Sequence, residues 1–175
     1  MAKKKQGRQG RLWHRDPVLV ARGKTEGARI DPDQLNSFVR LVGIAEELRQ
    51  SCDRYLATFG LSTGRLALLL ILIETPQEPQ SPSVVAERLG VTRATVTGLV
   101  NALDSQGLVH RRPDPHDGRK VVISISLRAR EAVQQILPGY LDFIGQLMQK
   151  VEKKRLIRLD KILSIIEQNS TAKSK

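Results

Sequence analysis

The sequence predicts a mainly α-helical chain with one small two-stranded β-hairpin. Three observations carry that prediction. Apolar residues recur at helical spacing through most of the chain after Asp31. Near the middle, two short amphipathic segments meet at a glycine, Gly90. Between residues 108 and 126, two short segments of strand character flank a basic stretch rich in turn residues.

Residues 1–30 hold nine Lys/Arg and two acids, a net +7 of the chain's +11. Trp13 and the Val18-Leu19-Val20 run are their main apolar relief, so the segment reads as a basic, flexible arm. Residues 169–175 read as a flexible tail, and Lys173 and Lys175 give it a further +2. The body is thus almost neutral. Total charge points to a polyanionic partner but does not locate its surface.

Asp31, Pro32 and Asp33 form a helix start: a capping side chain, a proline suited to the first turn, and an acid at the positive end of the dipole. Leu35, Phe38, Val39, Val42, Ala45, Leu48, Cys52, Tyr55, Leu56 and Phe59 then trace one stripe, which predicts a buried helical face ending at Gly60. Ser62 opens a second helix to about Glu74. Its middle is apolar all round, so it belongs inside the fold. Thr75–Pro82, with three prolines, reads as a loop. Helices follow over Ser83–Leu89 and Thr92–Gln106. A long one covers about 127–151, with Pro138-Gly139 predicting a kink. The last, about 153–168, carries Leu156, Ile157, Leu159, Ile162, Leu163, Ile165 and Ile166, a band too wide for a single neighbour. A second chain is its expected cover.

Several function classes fall away. One cysteine supports neither a disulfide scaffold nor a cysteine-based zinc finger. The longest apolar run, Leu66–Ile73, is eight residues, too short to span a bilayer. The N-terminus lacks a secretory signal pattern, and a cytoplasmic protein is expected. The sequence has no glycine-rich phosphate loop, HExxH or GxSxG, so no enzyme, cofactor or metal is expected.

The informative stretch is 82–126. Gly90 suits a sharp turn, Ala86 four residues earlier is small enough for a close helix crossing, and Val96, Leu99, Val100 and Leu103 continue a buried stripe. That spacing is a helix-turn-helix. Opposite the stripe lie Ala94, Thr97, Gly98, Asn101 and Ser105, all small or neutral-polar. An idle surface helix usually carries Lys and Glu there, whereas one lying on base edges needs short hydrogen-bonding groups and methyls. Thr92, Arg93 and Thr95 at its start suit phosphate and base contact. Leu108–Arg112, with Arg111 and Arg112, and residues 121–126 then form the strands of a wing. Its tip, Pro113–Lys120, holds Asp117, Arg119 and Lys120, and Asp117 is placed to hold the Arg119 guanidinium for a minor groove.

Gly60-Leu61-Ser62, Ala86-Glu87-Arg88-Leu89-Gly90-Val91-Thr92, Ala94-Thr95-Val96-Thr97-Gly98-Leu99-Val100, Leu103, Gly107-Leu108-Val109 and Asp114-Pro115-His116-Asp117-Gly118-Arg119-Lys120 resemble the MarR-type winged-helix transcriptional regulators. The resemblance spans roughly 32–168. It implies a homodimer interlocked by its first and last helices, a recognition helix in the major groove, and Arg119 as minor-groove reader. It further implies a repressor relieved by a small phenolic or other anionic effector, or by cysteine oxidation. The basic arm and Arg65, where the second helix often has Gln, depart from the pattern.

Three features are weighed beside it. Cys52 lies late on the apolar stripe of the first helix, which favours core packing over a redox role. His14, His110 and His116 are not placed as a metal set. Arg54, Tyr55 and Arg65 are candidates to line an effector pocket.

The expected organisation is therefore an arm over 1–30, a helical dimerisation region over 31–60 and 127–168, a winged helix-turn-helix domain over 61–126, and a tail over 169–175. The expected function is sequence-specific binding of double-stranded DNA by a homodimer on an inverted repeat, without membrane association. The alternative is an effector-sensing or protein-interaction winged-helix module that does not read DNA sequence.

Overall fold

The computed structural model of the protein describes residues 31–76, 78–114, 117–118 and 120–172. The arm, His14, His116 and Arg119 lie outside the described residues, and so does the expected pairing of Asp117 with Arg119. The helices are α1 (Pro32–Ala57), α2 (Thr63–Glu74), α3 (Pro82–Leu89), α4 (Arg93–Asp104), α5 (Leu127–Leu147) and α6 (Lys153–Ala172). The strands are β1 (Val109–Pro113) and β2 (Val121–Ile125), between α4 and α5. The chain divides into two compact units between Gln134 and Gln135.

In the first unit, side-chain caps set the helix starts. Asp31 accepts from the Asp33 N–H at 2.8 Å, Ser62 caps α2, Ser81 caps α3 and Thr92 caps α4. Pro82, expected in the loop, is instead the first residue of α3, where its missing N–H costs nothing. Asp53, near the end of α1, accepts from the Thr63 N–H at 2.8 Å and the Thr63 hydroxyl at 2.7 Å, and so fixes α2 against α1. Burial pushes the Asp53 carboxyl up, but the two Thr63 hydrogen bonds and the nearby Arg49 charge leave it below its ordinary value.

The core centres on α2, where Leu66, Leu68, Leu69, Ile71 and Leu72 are buried. Val85 and Ala86 of α3, Val96, Val100 and Leu103 of α4, and Ala129 and Val133 of α5 join them in the buried core of the first unit. Each fully buried aliphatic side chain contributes about 1.5–3 kcal/mol of transfer free energy. Gly64 marks the close approach of α2 and α4, since a Cβ there would stand 3.3 Å from Leu99.

The expected burial of the α1 stripe does not hold. Val39 and Leu56 are buried, but Phe38, Val42, Leu48 and Phe59 are 38–61% exposed, because α1 finds cover within the chain mainly at its C-terminal end, beside α2. Cys52 is half-buried. β1 and β2 pair antiparallel with Arg111 opposite Ile123, and Gln80 adds a one-residue bridge to Ile123 on the other edge of β2, with both N–H···O bonds 2.8 Å long. Contacts from α2 and α3 on β2 replace the simple alternation: Val122, Ile123 and Ile125 are buried and Val121 is exposed.

α5 begins at a cap from Ser126, whose hydroxyl accepts from the Ala129 N–H at 3.1 Å. Pro138 sits within this helix and removes the donor that would bond the Gln134 carbonyl. In the second unit α5 ends at Leu147 rather than 151, and Lys150 takes a positive φ of 67° before α6 starts. α6 continues to Ala172, so residues 169–172 are helical rather than part of a tail. Among the described residues, no helix is long and apolar enough to cross a membrane.

Candidate nucleic-acid interface

Gly90 joins the two helices of the motif. It adopts φ 65°, ψ 32°, the left-handed region that glycine enters without a Cβ clash. Its N–H donates to the Glu87 carbonyl at 3.1 Å and the Val91 N–H to the Ala86 carbonyl at 3.0 Å, which satisfies the end of α3. Arg88 of α3 pairs with Glu74 of α2. The turn therefore holds α4 at a fixed crossing, with Val96, Val100 and Leu103 inward.

The other face of α4 is open. Ala94, Thr97, Gly98, Asn101 and Ser105 are all exposed, as are Thr92, Arg93 and Thr95 at the helix start. Several of its polar atoms are already committed. The Thr92 Oγ1 accepts from the Thr95 N–H at 3.1 Å and lies 2.9 Å from the Thr95 hydroxyl. The Thr97 hydroxyl donates to the Arg93 carbonyl at 2.9 Å. A Cβ at Gly98 would meet nothing within 4 Å. Those five outward positions thus offer small groups, one amide and no charge, and the positive dipole end of α4 lies beside Arg93.

The wing stands next to this face. Arg111 donates from its guanidinium to the Asn101 side-chain oxygen, and its Nε lies 3.6 Å from the Asp104 carboxylate. Arg112 is exposed, and Lys120 lies 3.3 Å from Asp117 near the tip. A cavity of about 220 Å³ opens between these elements, lined by Pro82, Thr97, Val100, Arg111, Val121 and Ile123. The structure therefore brings Thr92, Arg93, Ala94, Thr95, Thr97, Gly98 and Asn101 onto one helix, with Arg111 beside them. Sequence reading missed Asp104 as a partner of Arg111; its place three residues after Asn101 on the same helix face was the available signal.

The residues expected at an effector pocket make local contacts. Arg54 donates to the Ser51 hydroxyl at 2.8 Å, Arg65 donates to the Gly60 carbonyl at 3.1 Å, and the Tyr55 ring lies 5.6 Å from that of Phe59. His110 is exposed, and among the described residues no group of His, Cys, Asp or Glu is arranged to hold a metal ion.

A family model described as the MarR family matches residues 59–120, the stretch from the α1–α2 turn to the wing. The chain is 34% identical over 122 residues to the HTH-type transcriptional repressor YetL of Bacillus subtilis strain 168, covering 70% of this chain and 73% of that protein. Its fold is shared with the Staphylococcus aureus MepR–DNA complex (TM-score 0.67, 20% identity, 76% of this chain and 96% of that one). It is also shared with CouR from Rhodococcus jostii RHA1 bound to p-coumaroyl-CoA (TM-score 0.63, 21% identity, 75% and 91%). Identity at this level across nearly three quarters of YetL, joined to the motif and wing just described, places the chain in the MarR family of helix-turn-helix transcriptional regulators.

Proposed function

We propose that the chain acts as a homodimeric repressor that binds an inverted-repeat operator and releases it when a small anionic effector binds. The observation that carries this reading is the run of small, uncharged, exposed residues Ala94, Thr97, Gly98 and Asn101 along α4, set by Gly90 beside a basic wing. Exposed small residues on a helix next to Arg93, Arg112 and Lys120 suit base edges flanked by phosphates. Direct base readout falls to Ala94, Thr97, Gly98 and Asn101, and backbone contact to Thr92, Arg93, Thr95, Arg112 and Lys120. Arg119, with Asp117 near it in sequence, is the minor-groove probe.

Dimerisation is supported by the uncovered apolar residues of α1 and α6: Phe38 is 61% exposed and Ile165 58%. The name of YetL supports repression. For the effector, Arg54, Tyr55 and Arg65 are one candidate lining, and the largely apolar cavity beside Arg111 is a second. Two-fold symmetry places the half-sites about 10 bp apart.

Footprinting on the DNA upstream of the protein's own coding region tests the reading. A protected inverted repeat is expected, with Arg119→Ala weakening binding by about 1–3 kcal/mol. Equal affinity for all duplexes would favour a winged-helix module that does not read sequence.

A further inference from the structure

We propose that Arg111 is a positioning residue for base recognition, which fixes the Asn101 amide in a single orientation and does not itself contact phosphate. The proposal rests on the reading of α4 as the base-contacting helix.

Successive residues of a strand point to opposite faces, so Arg111 and Arg112 diverge. Arg112 is exposed. Arg111 turns back to α4, where it meets both Asn101 and Asp104, one helical turn apart. A guanidinium has five donors and no acceptor. The atom of Asn101 that faces it must therefore be the oxygen. An unpinned surface asparagine exchanges donor and acceptor by flipping its amide. Here a flip would set the NH₂ group against the N–H groups of Arg111, so one orientation is retained. Asp104 supplies the guanidinium with a local counter-charge, which makes Arg111 a poorer ligand for a passing phosphate.

Asn101 is exposed on the outer face of α4, so the fixed amide presents its NH₂ as a defined donor. In the major groove, guanine N7 and O6, adenine N7 and thymine O4 accept such a donor, while the N4 amino group of cytosine opposes it. Arg111 thereby contributes to the choice of one base pair in each half-site without touching it.

The test uses a duplex selected by the full-length protein from a random pool, compared with an unselected duplex of equal length. Arg111→Met, Arg111→Lys, Asn101→Ala and the Met/Ala double variant are titrated at several salt concentrations, with thermal unfolding followed alongside. Arg111→Met is expected to weaken the selected duplex about tenfold and the unselected one about twofold or less. The salt slope should stay unchanged. The double variant should bind no worse than Asn101→Ala alone. Lysine keeps the charge but not the planar fork, so it should restore little. If Arg111→Met unfolds, Asp104→Asn takes its place: without its counter-charge Arg111 should gain phosphate contact, so the salt slope should steepen and the preference for the selected duplex should narrow.

A salt slope lower by about one per arginine, with equal loss on both duplexes, would overturn the proposal, since that is how a phosphate contact behaves. Full additivity of the two substitutions, or full rescue by lysine, would overturn it as well. If Asn101→Ala leaves discrimination between the duplexes intact, the base-contacting reading of α4 fails first, and the role of Arg111 falls with it.

Discussion

The helix-turn-helix and the C-terminal helix are both rich in aliphatic residues, and they use them in opposite ways. In α2, α3 and α4 the side chains of Leu68, Leu69, Leu72, Val85, Val96 and Leu103 are all at 2% exposure or less. In α6, Ile157, Ile162 and Ile165 are 52–58% exposed. Periodicity of the same quality therefore marks two different fates. A helical stripe states how much surface must be covered, and the location of the complementary surface decides whether folding or association covers it. For α4 that complement lies in helices close by in sequence. For α6 it is the surface that a second copy of the chain supplies in the proposed dimer.

The largest effect that would sharpen this contrast is expected in the core. Leu103→Ala should destabilise the protein by about 2–5 kcal/mol, because Leu103 is fully buried and its neighbours are held by caps and turns. Denaturant titration measures it, and a loss under 1 kcal/mol would mean the helix-turn-helix is loosely packed. The matching change in α6, Ile165→Glu, should barely alter unfolding at high dilution. It should instead raise the dissociation constant of the dimer at least tenfold, about 1.4 kcal/mol, in sedimentation equilibrium. An unchanged constant would remove α6 from the interface.

Two glycines of the motif give the next comparison. Gly90→Ala forces a Cβ into a positive φ and should cost about 1 kcal/mol. Gly98 is helical with free space around it, so Gly98→Ala should stabilise the fold by up to about 1 kcal/mol while impairing DNA binding. Unfolding midpoints that shift in the same direction for both would contradict the assignment.

The smallest effect concerns acid. The Asp53 carboxyl lies below its ordinary value in the fold, so its contribution is complete above the unfolded pKa near 4. It fades as pH falls through the lower folded value. The stability advantage of the native protein over Asp53→Asn should therefore shrink below about pH 4, and an advantage independent of pH would mean the Thr63 hydrogen bonds do not depend on charge.

The parts of the fold that were legible in sequence are those whose causes are local. Ser62 and Thr92 act as caps, Gly90 turns, and the inward residues of α4 follow from a 3.6-residue period. Where the cause is distant, the reading failed or was silent. The α1 stripe has the spacing of a buried face, yet burial depends on a surface that this chain supplies at Val39 and Leu56 but not at Phe38, Val42 or Leu48. The extension of α6 through Asn169, Ser170 and Thr171 runs against weak helix propensity, and the Thr171 hydroxyl bonds the Glu167 carbonyl at 3.2 Å. Of the candidate interface, the outer face of α4 was legible from period alone. The engagement of Arg111 with Asn101 and Asp104 was not, because it depends on how a strand packs against a helix.

The bridge from Gln80 to Ile123 bears on colloidal behaviour. A two-stranded hairpin has two edges of unpaired backbone groups, on which another hairpin can add. Gln80 occupies the middle of the β2 edge with two backbone hydrogen bonds. The β1 edge carries His110, Arg111 and Arg112 and ends in Pro113, which has no N–H to offer. Two such wings meeting edge to edge would bring like charges together and find few free donors. The exposed Arg112, a charge that favours a polyanion, also disfavours strand addition along this edge.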